Sequence, residues 1–160
     1  MKKLFTIGVF GLSKKDFFGK LIDNQIDTFC DIRRRRGVRG AKYSFVNSNR
    51  LQNTLSELGI NYYHLLDLSP SNEVREIQKE EDKKLNVLKR ERKYLGESFK
   101  KSFKKIHLLN YNAESFFDLI GNKAENVILF CVEQDYRACH RSLVADFINN
   151  HRKIIQIEHL

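Results

Sequence analysis

The chain has 160 residues, 41% hydrophobic and 11% aromatic, which is enough for one compact core and too little for a second independent one. With 29 Lys and Arg against 20 Asp and Glu, its formal net charge is +9, a long-range bias toward nucleic acid, nucleotides or phosphorylated substrates unless the charge merely solvates the surface. No stretch approaches the ~18 consecutive apolar residues that cross a bilayer, so no membrane partner is expected. Met1-Lys2-Lys3 leads into a segment broken by glycines, without a small-residue cleavage site, and no export signal is read there. Cys30, Cys131 and Cys139 form neither a paired framework nor Cys-x-x-Cys knuckles. A reducing, cytoplasmic setting is the expectation.

In chain order, residues 4–8 form a short β-prone run ended by glycine. Ser13 can cap a helix over residues 14–24 that presents Phe17, Phe18, Leu21 and Ile22 at helical spacing. Residues 27–32 read as a second strand, and the arginine tract 33–40, bounded by Gly37 and Gly40, reads as a loop. A helix over 48–58 with Leu51, Leu55 and Leu58 on one stripe ends at Gly59, and residues 61–65 follow as a strand. Beyond Pro70 the composition turns to Glu, Lys and Arg, so residues 72–106 are expected to be a charged helical insertion, one or two surface helices laced with charge pairs. Another helix covers 113–120. The run 126–132 is apolar throughout and reads as a central parallel strand; a helix over 139–150 and a strand over 153–157 close the chain.

This alternation predicts one α/β domain spanning 1–160, Rossmann-like and three-layered: a mostly parallel sheet of about five strands with helices on both faces. Ligands of such sheets sit beyond the carboxyl ends of the strands, which gathers the loops 8–13, 33–42, 66–71 and 133–141. Asp31 and Arg33, two apart, share a face of the second strand, as Cys131 and Glu133 do in the central one. Glu133 and Asp31 can divide acid and base roles; equally, Asp31 can form a strand-end salt bridge with an arginine from the other loop. Arg33, Arg35, Arg36, Arg39 and Lys42 concentrate cations that grip phosphate, with Tyr43 and Phe45 as stacking faces beside them. His140 and Arg141 open a helix whose N-terminus favours an anion.

Two cysteine readings compete with this. Cys131 and Arg137 satisfy Cys-x5-Arg, the pattern of thiolate chemistry on phosphate or sulfur, but Glu133 and Asp135 put negative charge in the cradle and no glycine eases the loop. Cys131, Cys139 and His140 do not follow a familiar zinc spacing, and no His-Glu-x-x-His pair occurs, so neither metal nor cofactor is expected.

The chain resembles the domain of unknown function 488 family from Leu4 nearly to its end. Thr6-Ile7-Gly8, Asp31-Ile32-Arg33, Asn47 with its following helix, Gly59-Ile60 before Tyr62-Tyr63-His64-Leu65, and above all Cys131-Val132-Glu133 with Cys139-His140-Arg141-Ser142 carry the resemblance. The last pair is similar to the family's Cys-Ala-Glu-Lys-Asp and Cys-His-Arg hallmark. The resemblance implies an α/β fold without an assigned activity, and Asp31, Arg33, Cys131, Glu133, Cys139, His140 and Arg141 match its pattern. Two positions depart from it: Val9-Phe10 stands where many members have His-Ser, and Gln134 replaces the hallmark lysine.

The expected function is a nucleotide- or nucleic-acid-processing enzyme with Glu133 and Asp31 as its carboxylate pair and Arg33, Arg39, His140 and Arg141 on phosphate. The alternatives are a non-catalytic nucleic-acid-binding module and, third, a cysteine-dependent phosphatase or sulfurtransferase.

Overall fold

In a computed structural model, which describes residues 1–88, 91–152 and 156–160, five strands form one all-parallel sheet. They are β1 (Lys3–Ile7), β2 (Thr28–Asp31), β3 (Asn61–His64), β4 (Asn126–Phe130) and β5 (Gln156–His159), in the order β3-β2-β4-β1-β5. The apolar run of β4 is explained by its place between β2 and β1. Val127 and Leu129 enter one core while Ile128 and Phe130 enter the other, so period-two alternation leaves no side chain for water.

Helices cover both faces. The aromatic core on one side packs Phe5, Ile7, Phe29 and Phe130 against α1 (Lys14–Asp23) and α2 (Ser48–Glu57), through Phe17, Phe18, Leu21, Leu51 and Leu55. The opposite core joins Leu4, Cys30 and Leu129 to residues of α3 (Asn72–Lys84), α4 (Glu97–Phe103), α5 (Ala113–Ile120) and α6 (His140–Arg152). Ser13 caps α1 by accepting the Asp16 N–H, as its position suggests, and Gly59 follows α2 with a left-handed φ of +71° that lets the chain turn into β3.

Several boundaries differ from the sequence reading. β4 ends at Phe130 rather than Val132, because Val132 turns its carbonyl to the Val9 and Phe10 N–H groups and the chain leaves the sheet over β1. The strand expected over 153–157 is seen at Gln156–His159; residues 153–155 lie outside the described ones. The charged stretch 72–106 is two helices, the second running into a π-helical turn at Lys104–Leu108, and it packs against the sheet. Val74, Leu95, Phe99 and Phe103, thinly spread among charges, are all buried in the core shared with β2 and β4.

The strand order sets where a ligand can enter. The loops after β1 and β2 lead to α1 and α2 on one face, while the loop after β4, inserted between them, leads to α6 on the other. Loops diverging from neighbouring strands leave a crevice at the carboxyl edge.

Candidate functional site

A cleft of about 340 Å3 opens at that edge, and the loops after β1, β2, β3 and β4 all reach it, through Phe10, the tract from Arg33 to Arg39, Pro70, and Cys131 to His140. The helices α3 and α4 supply a further wall with Arg75, Gln78, Lys79, Asp82 and Phe99.

Its floor is set by close backbone approach. A Cβ on Gly8 would stand 1.8 Å from the Glu133 carbonyl oxygen, so glycine at this strand end lets the loop after β4 lie directly over β1. Arg141 holds the same loop from below: it is 1% exposed, and its guanidinium donates to the carbonyls of Glu133 and, at 2.9 Å, Gln134. A buried arginine that bonds two loop carbonyls sets backbone geometry.

Asp31 and Arg33 do share a face, and they meet. Arg33 Nε and Nη2 donate to the two carboxylate oxygens at 2.8 and 2.7 Å, with Asp31 fully buried and Arg33 3% exposed. The Arg33 backbone N–H and the Tyr62 hydroxyl also donate to Asp31, at 3.1 and 2.9 Å. Burial, with Asp31 second, pushes the Tyr62 phenol up to about 12, so it stays a donor. The Arg33 plane lies 4.5 Å from the Phe130 ring, and Nη2 also donates to the Val46 carbonyl. Its Nη1 is buried with no hydrogen-bond partner among the described residues, as are Nε of Arg92 and Nε of Arg141.

His140 sits 7% exposed against the edge of Phe103. Its Nε2 is 3.0 Å from the Ile32 carbonyl, which can only accept, so the ring is assigned the Nε2–H tautomer and the neutral form directs its Nδ1 lone pair the other way. That way lie Cys131 and Cys139, each with Sγ 3.9 Å from Nδ1. The three ligand atoms all fall within 4.8 Å of one another, which their separation in sequence did not suggest. Cys131 is pushed above the ordinary thiol range by its hydrogen bond with Cys139 and by burial. Arg137 is directed elsewhere: it forms a bidentate pair with Asp135, at 2.7 Å for Nη2, and lies over the Tyr94 ring. The Cys-x5-Arg pattern thus does not bring its arginine to the cysteine.

Of the residues singled out in the sequence, Arg33, Arg35, Arg39, Glu133 and His140 line the cleft. Asp31 lies beneath Arg33 and Arg141 beneath the loop; Arg36 and Lys42 are outside the cleft lining, where Lys42 lies 5.3 Å from the Tyr43 ring. Missed were Gly8, Tyr62, Arg34, Arg75 and Arg92. Gly8 carried a readable signal, as a glycine at a strand end, whereas Tyr62 meets Asp31 only because β2 and β3 are neighbours. Arg92, which bonds Asp82 at 2.8 Å and the Ala138 carbonyl at 3.1 Å, lies in a charge run with no pattern to mark it.

The model of the domain of unknown function DUF488 matches residues 13–148, which is most of the chain and includes the second strand, the arginine tract and the whole Cys131 to Arg141 loop. The chain belongs to the DUF488 family. No curated protein and no solved structure matches it. In this DUF488 domain the residues of the Cys-His-Arg step thus have separate places: Cys139 and His140 face the cleft, and Arg141 ties down the loop that carries Glu133.

Proposed function

We propose that the protein is a nucleotide- or nucleic-acid-processing enzyme whose phosphate-binding group is Arg33 and whose reacting carboxylate is Glu133. The observation that carries the reading is the buried, unpartnered Nη1 of Arg33 at the wall of a cleft rimmed by Arg34, Arg35, Arg39 and Arg75. An unsatisfied buried guanidinium nitrogen is costly, and an anionic oxygen entering the cleft would satisfy it. The carboxylates then divide their roles. Asp31 holds Arg33 in one orientation, while Glu133, 9% exposed in the cleft lining, transfers a proton or attacks.

The test is a turnover screen of nucleoside mono-, di- and triphosphates and short oligonucleotides with the full chain. Glu133→Gln should lower kcat by roughly 100-fold or more while leaving substrate binding intact. Undiminished turnover in that variant would sink the assignment.

A second reading, a module that binds nucleic acid without reacting, is favoured by the exposure of Arg34, Arg35, Arg39 and Lys42 along one loop beside Tyr43. It predicts binding without turnover, indifferent to Glu133→Gln.

A further inference from the structure

We propose that Cys131, Cys139 and His140 form a zinc site whose fourth position opens on the cleft. This goes beyond the functional reading above and does not rest on it.

Three observations carry it. The first is distance. In a tetrahedral site with Zn–S of about 2.3 Å and Zn–N of about 2.05 Å, neighbouring sulfur and nitrogen ligands stand about 3.6 Å apart. Here Nδ1 of His140 is 3.9 Å from both sulfurs, a few tenths of an ångström from that spacing, and all three ligand atoms lie within 4.8 Å of one another, so that drawing the two thiols together around one ion completes the set. The second is orientation. Zinc-bound imidazoles characteristically donate their other N–H to a carbonyl or carboxylate, and the Ile32 carbonyl takes this role at 3.0 Å, leaving Nδ1 as the free donor atom between the thiols. The third is support. The loop that returns Cys139 to Cys131 closes through a 3-10 turn at Tyr136–Ala138 and is clamped by Arg141, so the constellation is held by bonds that do not involve the metal.

Charge and softness agree with this. Binding Zn2+ displaces one proton from each thiol, so two thiolates and the ion sum to zero and the occupied site adds no net charge to a buried place. Two sulfurs and an imidazole select a borderline or soft transition metal over magnesium or calcium. All three residues line the cleft, so the side without a protein ligand faces the space in which a water or a substrate oxygen completes the tetrahedron.

Cobalt(II) is the probe. The full chain, stripped with a chelator under a phosphine reductant, should bind one equivalent of Co2+ with a thiolate-to-cobalt charge-transfer band in the near ultraviolet and the visible d–d bands of tetrahedral coordination. Equimolar Zn2+ should displace it. Cys131→Ser and Cys139→Ser should each weaken metal binding by more than the roughly 10–100-fold that loss of an outer-shell partner costs, and Cys30→Ser, altering the remaining cysteine, should not. No charge-transfer band in the wild-type chain would overturn the proposal even if every variant misfolds. So would a band that persists in both folded serine variants, or a Cys131–Cys139 pair that oxidises readily and never binds metal when reduced.

Discussion

Asp31 shows what a single residue's surroundings do to its chemistry. Residues two apart at a strand end face the same way, and both a catalytic role and a salt bridge to an arginine of the other loop stood open; the arginine that Asp31 meets is Arg33, two residues on in its own chain segment. Full burial, a bidentate partner and two further donors assign its lone pairs to holding Arg33. A buried pair of this kind is expensive to break, because the remaining charge stays desolvated. Asp31→Asn, nearly isosteric, is therefore expected to destabilise the fold by about 3 kcal/mol, visible as a lower denaturation midpoint at unchanged slope. A loss under 1 kcal/mol would mean that Arg33 is steadied mainly by Phe130 and Val46. Gly8 and Arg141 meet the same Glu133 carbonyl, the glycine by leaving room for it and the arginine by donating to it, and neither role could be assigned before β1 and β4 were known to be neighbours.

At the scale of elements, the charged stretch 72–106 departs most from the sequence reading. Its pattern is dominated by surface charge, and the few apolar positions that matter lie too far apart to register as one stripe. They nevertheless seat α3 and α4 on the sheet and make them a wall of the cleft. His107, in the π-helical turn after α4, accepts the N–H of Ser71 at 3.0 Å and so joins that turn to the start of α3. Desolvation, ahead of repulsion from His140 and Arg34, holds its pKa below the ordinary 6.5 despite a hydrogen bond to the Asp67 backbone. A group whose folded pKa is depressed contributes stability above its unfolded pKa that is lost as pH falls through the folded value. Stability should accordingly decline as pH drops below 6.5, and His107→Phe should flatten that limb in denaturation measured across pH. An unaltered limb would place the acid sensitivity in other groups.

Across the whole molecule, the +9 charge is given a direction by the fold. Arg34, Arg35, Arg39 and Lys42 stand on one loop at the carboxyl edge of the sheet, so the attraction converges where the strand order leaves a crevice. Affinity for single-stranded oligonucleotide should fall with rising salt. Replacing Arg35 and Arg39 by Gln should reduce the slope of log affinity against log salt by roughly 0.7 for each lost phosphate contact. An unchanged slope would remove this loop from the binding surface. No helix of the described residues is long and apolar enough to cross a membrane, and the three cysteines are free.

The layers were legible before any contact between segments was known. Alternating strand and helix periodicity, the apolar run of β4, the glycine after α2 and the serine before α1 are local signals, because each follows from how one segment buries its own face. The sequence also marked the edge where the cleft opens, since the loops that follow the strands of a parallel sheet all leave at one end. Tertiary structure alone decided which strand lies beside which, and hence that Gly8 touches Glu133, that Tyr62 reaches Asp31, and that His140 turns its free nitrogen toward two cysteines. These are contacts between segments far apart in the chain, and no periodicity within a segment encodes its partner. The Cys131 to Arg141 loop was legible as a gathering of chemistry-bearing residues, but the division of its side chains between cleft and clamp required the neighbouring strands.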